Sequence, residues 1–196
     1  MSTQPIPYFT PQQYLEMERK ADYRSEYYHG EIFPMSAASL DHSRIFHSLA
    51  SSLYVQLRGR SCEIAGTSLR LQISPDGLYT YPDILVFCGP PQFADSHSDM
   101  ITDATVIIEV LSPSTENYDR AFKFEQYRRL VSLTDYIVIA QDRIYLEHHT
   151  PQADRSWRLV EITDPDAVVS LNSINCTFRV AEVYERVTFA AGRQRV

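Results

Sequence analysis

Three ionisable residues in this sequence stand in apolar company that makes them costly. Glu109 lies inside the run Thr105-Val106-Ile107-Ile108-Glu109-Val110-Leu111, and Asp83 opens the run Ile84-Leu85-Val86-Phe87 after Tyr81-Pro82. Lys123 sits between Phe122 and Phe124, and it is one of two lysines in the chain, the other being Lys20. An ionised carboxylate in an apolar strand must meet a cation, a hydrogen-bond network or a metal, or else sit at a strand end and reach water. If Asp83 and Glu109 stood on neighbouring strands, both could face one ion at ~2.0–2.5 Å, a hard site suited to Mg²⁺, Mn²⁺ or Ca²⁺. The spacing Asp119, Lys123, Tyr127 puts these three on one helical face. Lys123 could then reach back toward Glu109, or merely pair with Asp119 as a helical ion pair.

The elements that would position these groups follow from hydrophobic period and turn chemistry. Thr10 caps a short helix to about Lys20, with Pro11 at its first position. Ser25 to Met35 reads as extended around His29-Gly30, either a small hairpin or a bent strand. Ile45, Leu49, Leu53 and Leu57 recur every four residues, which predicts a long amphipathic helix over 38–58, stopped by Gly59. Three strands follow, over 63–73, 81–88 and 105–111. The apolar character of the strand over 105–111 predicts a sheet covered on both faces. A helix from about 116 to 131 and a fourth strand over 134–141 complete the series. Alternating stretches over 143–149 and 157–162 read as an edge meander, with short strands near 168–171 and 176–180 and a helical turn near 181–184. If the second and third strands are antiparallel neighbours, Asp83 and Glu109 emerge at one edge of the sheet.

At 196 residues, 44% of them hydrophobic, the chain fits one domain with a substantial core. The net charge of −7 argues against a binder that relies on a broadly basic surface, though a local basic patch or bound cations can still hold a phosphodiester. Met1 to Tyr8 lacks a signal-peptide pattern, and no apolar run is long enough for a bilayer, so a cytoplasmic location is expected. Cys62, Cys88 and Cys176 form no CxxC pair and read as buried thiols in a reducing compartment, with no disulfide. The loop Asp95-Ser96-His97-Ser98-Asp99 has metal-ligand residue types but the composition of a solvated loop. The tail over 192–196 is expected to fray.

The ordered series His29-Gly30-Glu31, His42, Tyr81-Pro82-Asp83, Ile108-Glu109-Val110-Leu111-Ser112-Pro113-Ser114-Thr115 and Asp119-x-x-x-Lys123-x-x-x-Tyr127 resembles a widespread bacterial family of restriction endonucleases. That family was once catalogued as a domain of unknown function and is assigned to the PD-(D/E)XK nuclease superfamily. The resemblance runs from about Thr10 to Tyr184. It implies an α/β fold with an αβββαβ core, a mixed sheet flanked by helices, plus an added C-terminal meander. It implies one domain over 1–196, with an N-terminal helix and hairpin (about 10–36), a core (about 38–141) and the meander (about 143–184). It further implies a metal-dependent DNA endonuclease in which Asp83 and Glu109 bind Mg²⁺ or Mn²⁺ and, with Lys123, form the catalytic set. The superfamily pattern has a lysine two residues after the acid, where this chain has Leu111, and Lys123 is the substitute. Glu31 and His42 also match the family pattern, and could complete a metal shell or orient water. A hairpin carboxylate and a residue at a helix start would look the same.

Two other readings remain open at this level. One is a non-catalytic interaction or nucleic-acid-binding module on a nuclease fold, and the other a hydrolase of smaller phosphoesters. DNA is the expected partner, and a homodimer is compatible with cutting two strands.

Overall fold

The structure, a computed structural model, describes residues 7–112 and 116–189. Pro113-Ser114-Thr115, within the family-like series, and the tail over 192–196 lie outside the described residues.

The chain begins with α1 (Pro11–Glu18), where the Thr10 hydroxyl accepts from the Gln13 amide and the Gln13 side chain accepts from the Thr10 amide in return. This reciprocal cap satisfies two of the donors a helix start leaves open. Strands β1 (Ser25–Tyr28) and β2 (Glu31–Pro34) form a hairpin, with His29 and Gly30 at φ 44° and 94° making its turn. Helix α2 (Leu40–Leu57) follows, capped by Ser39, and its Ile45, Leu49, Leu53 and Leu57 are all buried.

The first expected core strand is broken in two, and the second starts later than expected. The stretch 63–73 yields β3 (Cys62–Gly66) and β4 (Arg70–Gln72), while 81–88 yields β6 (Ile84–Cys88), preceded by β5 (Tyr79–Thr80). β3 and β6 belong to one sheet, and β4 and β5 to another. Tyr81-Pro82-Asp83 is the crossing between them, where Pro82 has no amide hydrogen to continue a ladder. After β7 (Met100–Ile101) comes β8 (Val106–Leu111), all six residues buried.

The expected helix over 116–131 is shorter and differently wound. A π-helical segment, Tyr118–Lys123, runs directly into α3 (Phe124–Tyr127). Periodicity cannot distinguish a π-turn from an α-turn over so few residues. Then come β9 (Asp135–Ala140), β10 (Leu146–Pro151), β11 (Trp157–Ile162), β12 (Val168–Leu171), β13 (Cys176–Arg179) and α4 (Val180–Val183).

Among the described residues the strands form sheets in the orders β2-β1-β5-β4-β7 and β11-β10-β9-β8-β6-β3, with β12-β13 as a separate pair. The second sheet is mixed: β8 runs antiparallel to β6 and parallel to β9. With α2 before β3, and the π-helical segment and α3 between β8 and β9, the αβββαβ order stands, and β4, β5 and β7 are insertions in it. Both faces are covered. Ile84, Val86, Val106, Ile108 and Val110 pack with the α2 stripe and with Phe178 and Val180. Leu85, Phe87, Ile107, Leu111 and Val138 pack on the other face with Tyr127 and Tyr136. Each such aliphatic side chain contributes ~1.5–3 kcal/mol on burial.

The expectation for the cysteines is corrected, and the polar loop gains one ionic anchor. Cys62 and Cys88 are register partners across β3 and β6 and form a disulfide, while Cys176 is the free, buried thiol among the three. A separation of 26 residues says nothing about pairing until the strand register sets the two side by side. Asp95 and Asp99 are engaged by Arg19, whose Nη2 lies 2.5 Å from Asp95 Oδ2 and 2.9 Å from Asp99 Oδ1. That loop anchors the end of α1 and leaves His97 exposed.

Candidate active site

Alternation along β8 decides which face Glu109 occupies. Ile107 and Leu111 belong to the core face covered by Tyr127 and Tyr136, and Glu109, lying between them, points the same way. The β6–β8 register pairs Ile84 with Ile108, which brings Asp83 beside Glu109 and Val110. The Asp83 amide donates to Glu109 Oε2 at 3.3 Å, and the Val110 amide donates to Asp83 Oδ2 at 2.8 Å. The two carboxylates therefore interlock through each other's strands at the point where β5 crosses to β6.

Lys123 reaches this point from the helix over the same face. Its Nζ lies 3.1 Å from Glu109 Oε1, 3.1 Å from Asp119 Oδ1 and 3.0 Å from Glu26 Oε1. The Tyr127 hydroxyl donates to Glu109 Oε1 at 2.6 Å. The face shared by Asp119, Lys123 and Tyr127 is thus turned inward, and all three residues are buried. Leu111, where the superfamily pattern has its lysine, is also on this face but deep in the core. A cation supplied from the covering segment serves the same side of the sheet without breaking that apolar layer.

Burial pushes the Glu109 carboxyl above the usual carboxylate range, against the pull of Lys123 and with a further push from Asp119 and Asp83. Burial works against the Lys123 ammonium too, but Glu109, Glu26 and Asp119 outweigh it and hold its pKa well above that of a free lysine. Tyr127 is likewise driven up, by burial and then by the Glu109 charge, and remains a hydrogen-bond donor.

His42, in the first turn of α2, lies with Nε2 3.1 Å from Asp83 Oδ2, so it joins the site. Glu31 is exposed on β2. The carboxylate of the hairpin that does reach the site is Glu26, which sequence reasoning passed over. It lies in Ser25-Glu26-Tyr27-Tyr28, where Ser25, Glu26 and Tyr27 are all buried. The available signal was a carboxylate beside aromatics in a short strand, and nothing local separates it from an edge charge.

Among the described residues no group of three or more His, Cys, Asp or Glu is set to hold a metal ion, and Lys123 pairs with Glu26, Glu109 and Asp119. Asp83 and Glu109 still fit a hard divalent cation in donor type. They are two interlocked oxygen donors in a cluster where Glu26 and Asp119 add further negative charge against one lysine. Mg²⁺ is commonly held by one or two carboxylates, with water and phosphate oxygens completing its shell.

Comparisons with known proteins identify the family and the fold. A family profile named Uma2 and described as "Putative restriction endonuclease" matches residues 11–181. Two uncharacterized proteins of Synechocystis sp. are similar. One is 34% identical over 163 residues, covering 83% of this chain and 92% of the relative. The other is 32% identical over 185 residues, covering 94% and 96%. A crystal structure from Anabaena variabilis, described as a "putative nuclease belonging to DUF820", superposes with a TM-score of 0.74 at 19% identity, covering 92% of this chain and 99% of the other. At that identity the likeness speaks for the fold.

Proposed function

This chain belongs to the Uma2 family of restriction-endonuclease-type proteins, and on that footing we propose that it is a metal-dependent DNA endonuclease hydrolysing phosphodiester bonds. The observation that carries the reading is the meeting of Asp83, Glu109 and Lys123 at one point of the β6–β8 edge.

Asp83 and Glu109 would hold Mg²⁺ or Mn²⁺. Such an ion, when bound, supplies positive charge that activates water and stabilises the leaving 3′ oxygen. The chain's own groups do the rest. The Val110 amide and His42 fix Asp83, while Tyr127 fixes Glu109. The Lys123 ammonium, already beside Glu109, offers charge to a phosphate oxygen that becomes more negative in the transition state. The buried position of these groups strengthens each interaction relative to water. With one such centre per chain, cutting both strands calls for two copies, so a homodimer accompanies the proposal.

The test is cleavage of supercoiled plasmid in Mg²⁺ or Mn²⁺. Nicked and linear products are expected from the wild type, none from Asp83→Ala or Glu109→Ala, and reduced amounts from Lys123→Ala. Intact plasmid across a broad range of metals, salt and pH would overturn the proposal.

A further inference from the structure

Glu26 is a buried carboxylate for which the chemistry above has no use. It comes from β1 of one sheet, Glu109 comes from β8 of the other, and Asp119 comes from the π-helical segment. These three elements meet around a single ammonium, with Lys123 Nζ at 3.0, 3.1 and 3.1 Å from the three carboxylates respectively. Burying that many charges costs several kcal/mol per ion before their mutual attraction is counted.

Glu26 is itself firmly seated. The Thr80 hydroxyl donates to its Oε1, and the Tyr118 hydroxyl donates to its Oε2 at 3.0 Å. Thr80 is three residues before Asp83, and Tyr118 lies one π-helical turn before Lys123, with its ring centroid 5.6 Å from the ammonium. The Glu26 seat is therefore built from the two segments that also deliver Asp83 and Lys123. Glu109 is placed differently, because Oε2 meets the Asp83 amide while Oε1 serves Lys123 and Tyr127. Glu109 has two duties, whereas Glu26, through Thr80 and Tyr118, is directed at Lys123.

We propose that Glu26 is the positioning residue for Lys123: it anchors the ammonium beside Glu109 and keeps it there when a divalent cation draws on the Glu109 carboxylate. The proposal rests on the nuclease reading for the work Lys123 does at a phosphate. The anchoring is a property of the protein by itself and can be measured without substrate.

Because Lys20 and Lys123 are the only lysines, protein labelled with ¹³C at lysine Cε gives two side-chain methylene signals. Lys20 is exposed and serves as the mobile reference. In the wild type, Lys123 is expected to show two inequivalent Hε resonances with and without Mg²⁺. Glu26→Gln keeps the shape of the side chain but loses the charge. With Mg²⁺ its Lys123 signals are expected to collapse toward the averaged Lys20 pattern. In plasmid cleavage the same variant is expected to lose at least about tenfold in kcat with KM little changed, and Glu26→Asp to recover part of that loss. Tyr118→Phe loosens the seat without touching the charge and is expected to give a smaller loss of the same kind, and it carries the test if Glu26→Gln does not fold. Immobile Lys123 signals in Glu26→Gln with Mg²⁺ would overturn the anchoring role. If the wild type cuts nothing, the nuclease reading fails and the resonance measurement alone still decides whether Glu26 holds Lys123.

Discussion

Lys123 Nζ and Glu109 Oε1 are 3.1 Å apart, joining the segment that covers the sheet to the strand buried beneath it. Both side chains are less than a tenth exposed. Removing the cation alone would leave Glu26, Glu109 and Asp119 facing one another. Lys123→Met is therefore expected to lower stability by ~3–5 kcal/mol, as read by urea unfolding. Lys123→Met with Glu109→Leu should recover part of that loss. Strict additivity of the two changes in a double-mutant cycle would show that the pair is not coupled.

Tyr127 gives Glu109 its other donor on Oε1, at 2.6 Å in a fully buried setting. Tyr127→Phe leaves that oxygen one donor short and is expected to cost ~1–3 kcal/mol. Chemical denaturation of the two proteins side by side checks this, and an unchanged midpoint would argue that another donor replaces the hydroxyl.

His42 stands beside Asp83 but is less deeply placed, with 14% of its side chain exposed. His42→Ala should change stability by no more than ~1 kcal/mol while reducing metal-dependent plasmid cleavage, because Asp83 loses a partner on Oδ2. A variant that cuts at the wild-type rate would remove His42 from the site's working parts.

Asp135, on β9, is buried and accepts from Ser173 Oγ at 2.6 Å and Thr134 Oγ1 at 2.8 Å, with His148 Nε2 2.7 Å from its other oxygen. Burial raises its pKa, but these three partners together outweigh burial and hold it below the usual carboxylate range. A carboxylate with a depressed folded-state pKa stabilises the protein above its unfolded-state pKa, and that stability is lost as pH falls through the folded value. Asp135→Asn is accordingly expected to be less stable than wild type at pH 7, with the gap narrowing below about pH 4. Thermal melts from pH 7 to pH 3 would show this, and a constant gap would contradict it.

The Cys62–Cys88 disulfide closes a separation of 26 residues between the edge strand β3 and the strand that follows Asp83. Loop closure of that length corresponds to ~3–4 kcal/mol at most. Cys62→Ala with Cys88→Ala is expected to lower stability by ~2–4 kcal/mol, and a reducing agent should reproduce the shift in wild type only. Melting curves indifferent to reductant would exclude a stabilising bond.

Much of this arrangement is legible in the sequence, wherever side-chain pattern answers to local physics. The four-residue repeat from Ile45 to Leu57 marks one buried helical stripe, the run around Ile84 reads as a strand, and the β-branched run around Ile107 reads as a strand covered on both faces. Glu109 and Asp83 stand out because a carboxylate in such company requires a partner. The face shared by Asp119, Lys123 and Tyr127 follows from helical spacing alone.

What only tertiary structure decided is which of these groups meet, because contact between distant elements depends on register and layer, which a local pattern does not carry. The strand over 63–73 looks continuous in sequence yet divides between two sheets at the turn after Gly66, and that over 81–88 begins only after Pro82, which separates it from β5 of the other sheet. Cys62 meets Cys88 through the β3–β6 register. Glu26, and not the more conspicuous Glu31, reaches Lys123 because pairing of β1 with β5 sets that strand over the crossing that leads to Asp83. Sequence marked Glu109 as a carboxylate that needs a cation, a hydrogen-bond network or a metal unless it reaches water. The packing of two sheets against one short π-helical segment determined that the cation is Lys123, held by three carboxylates.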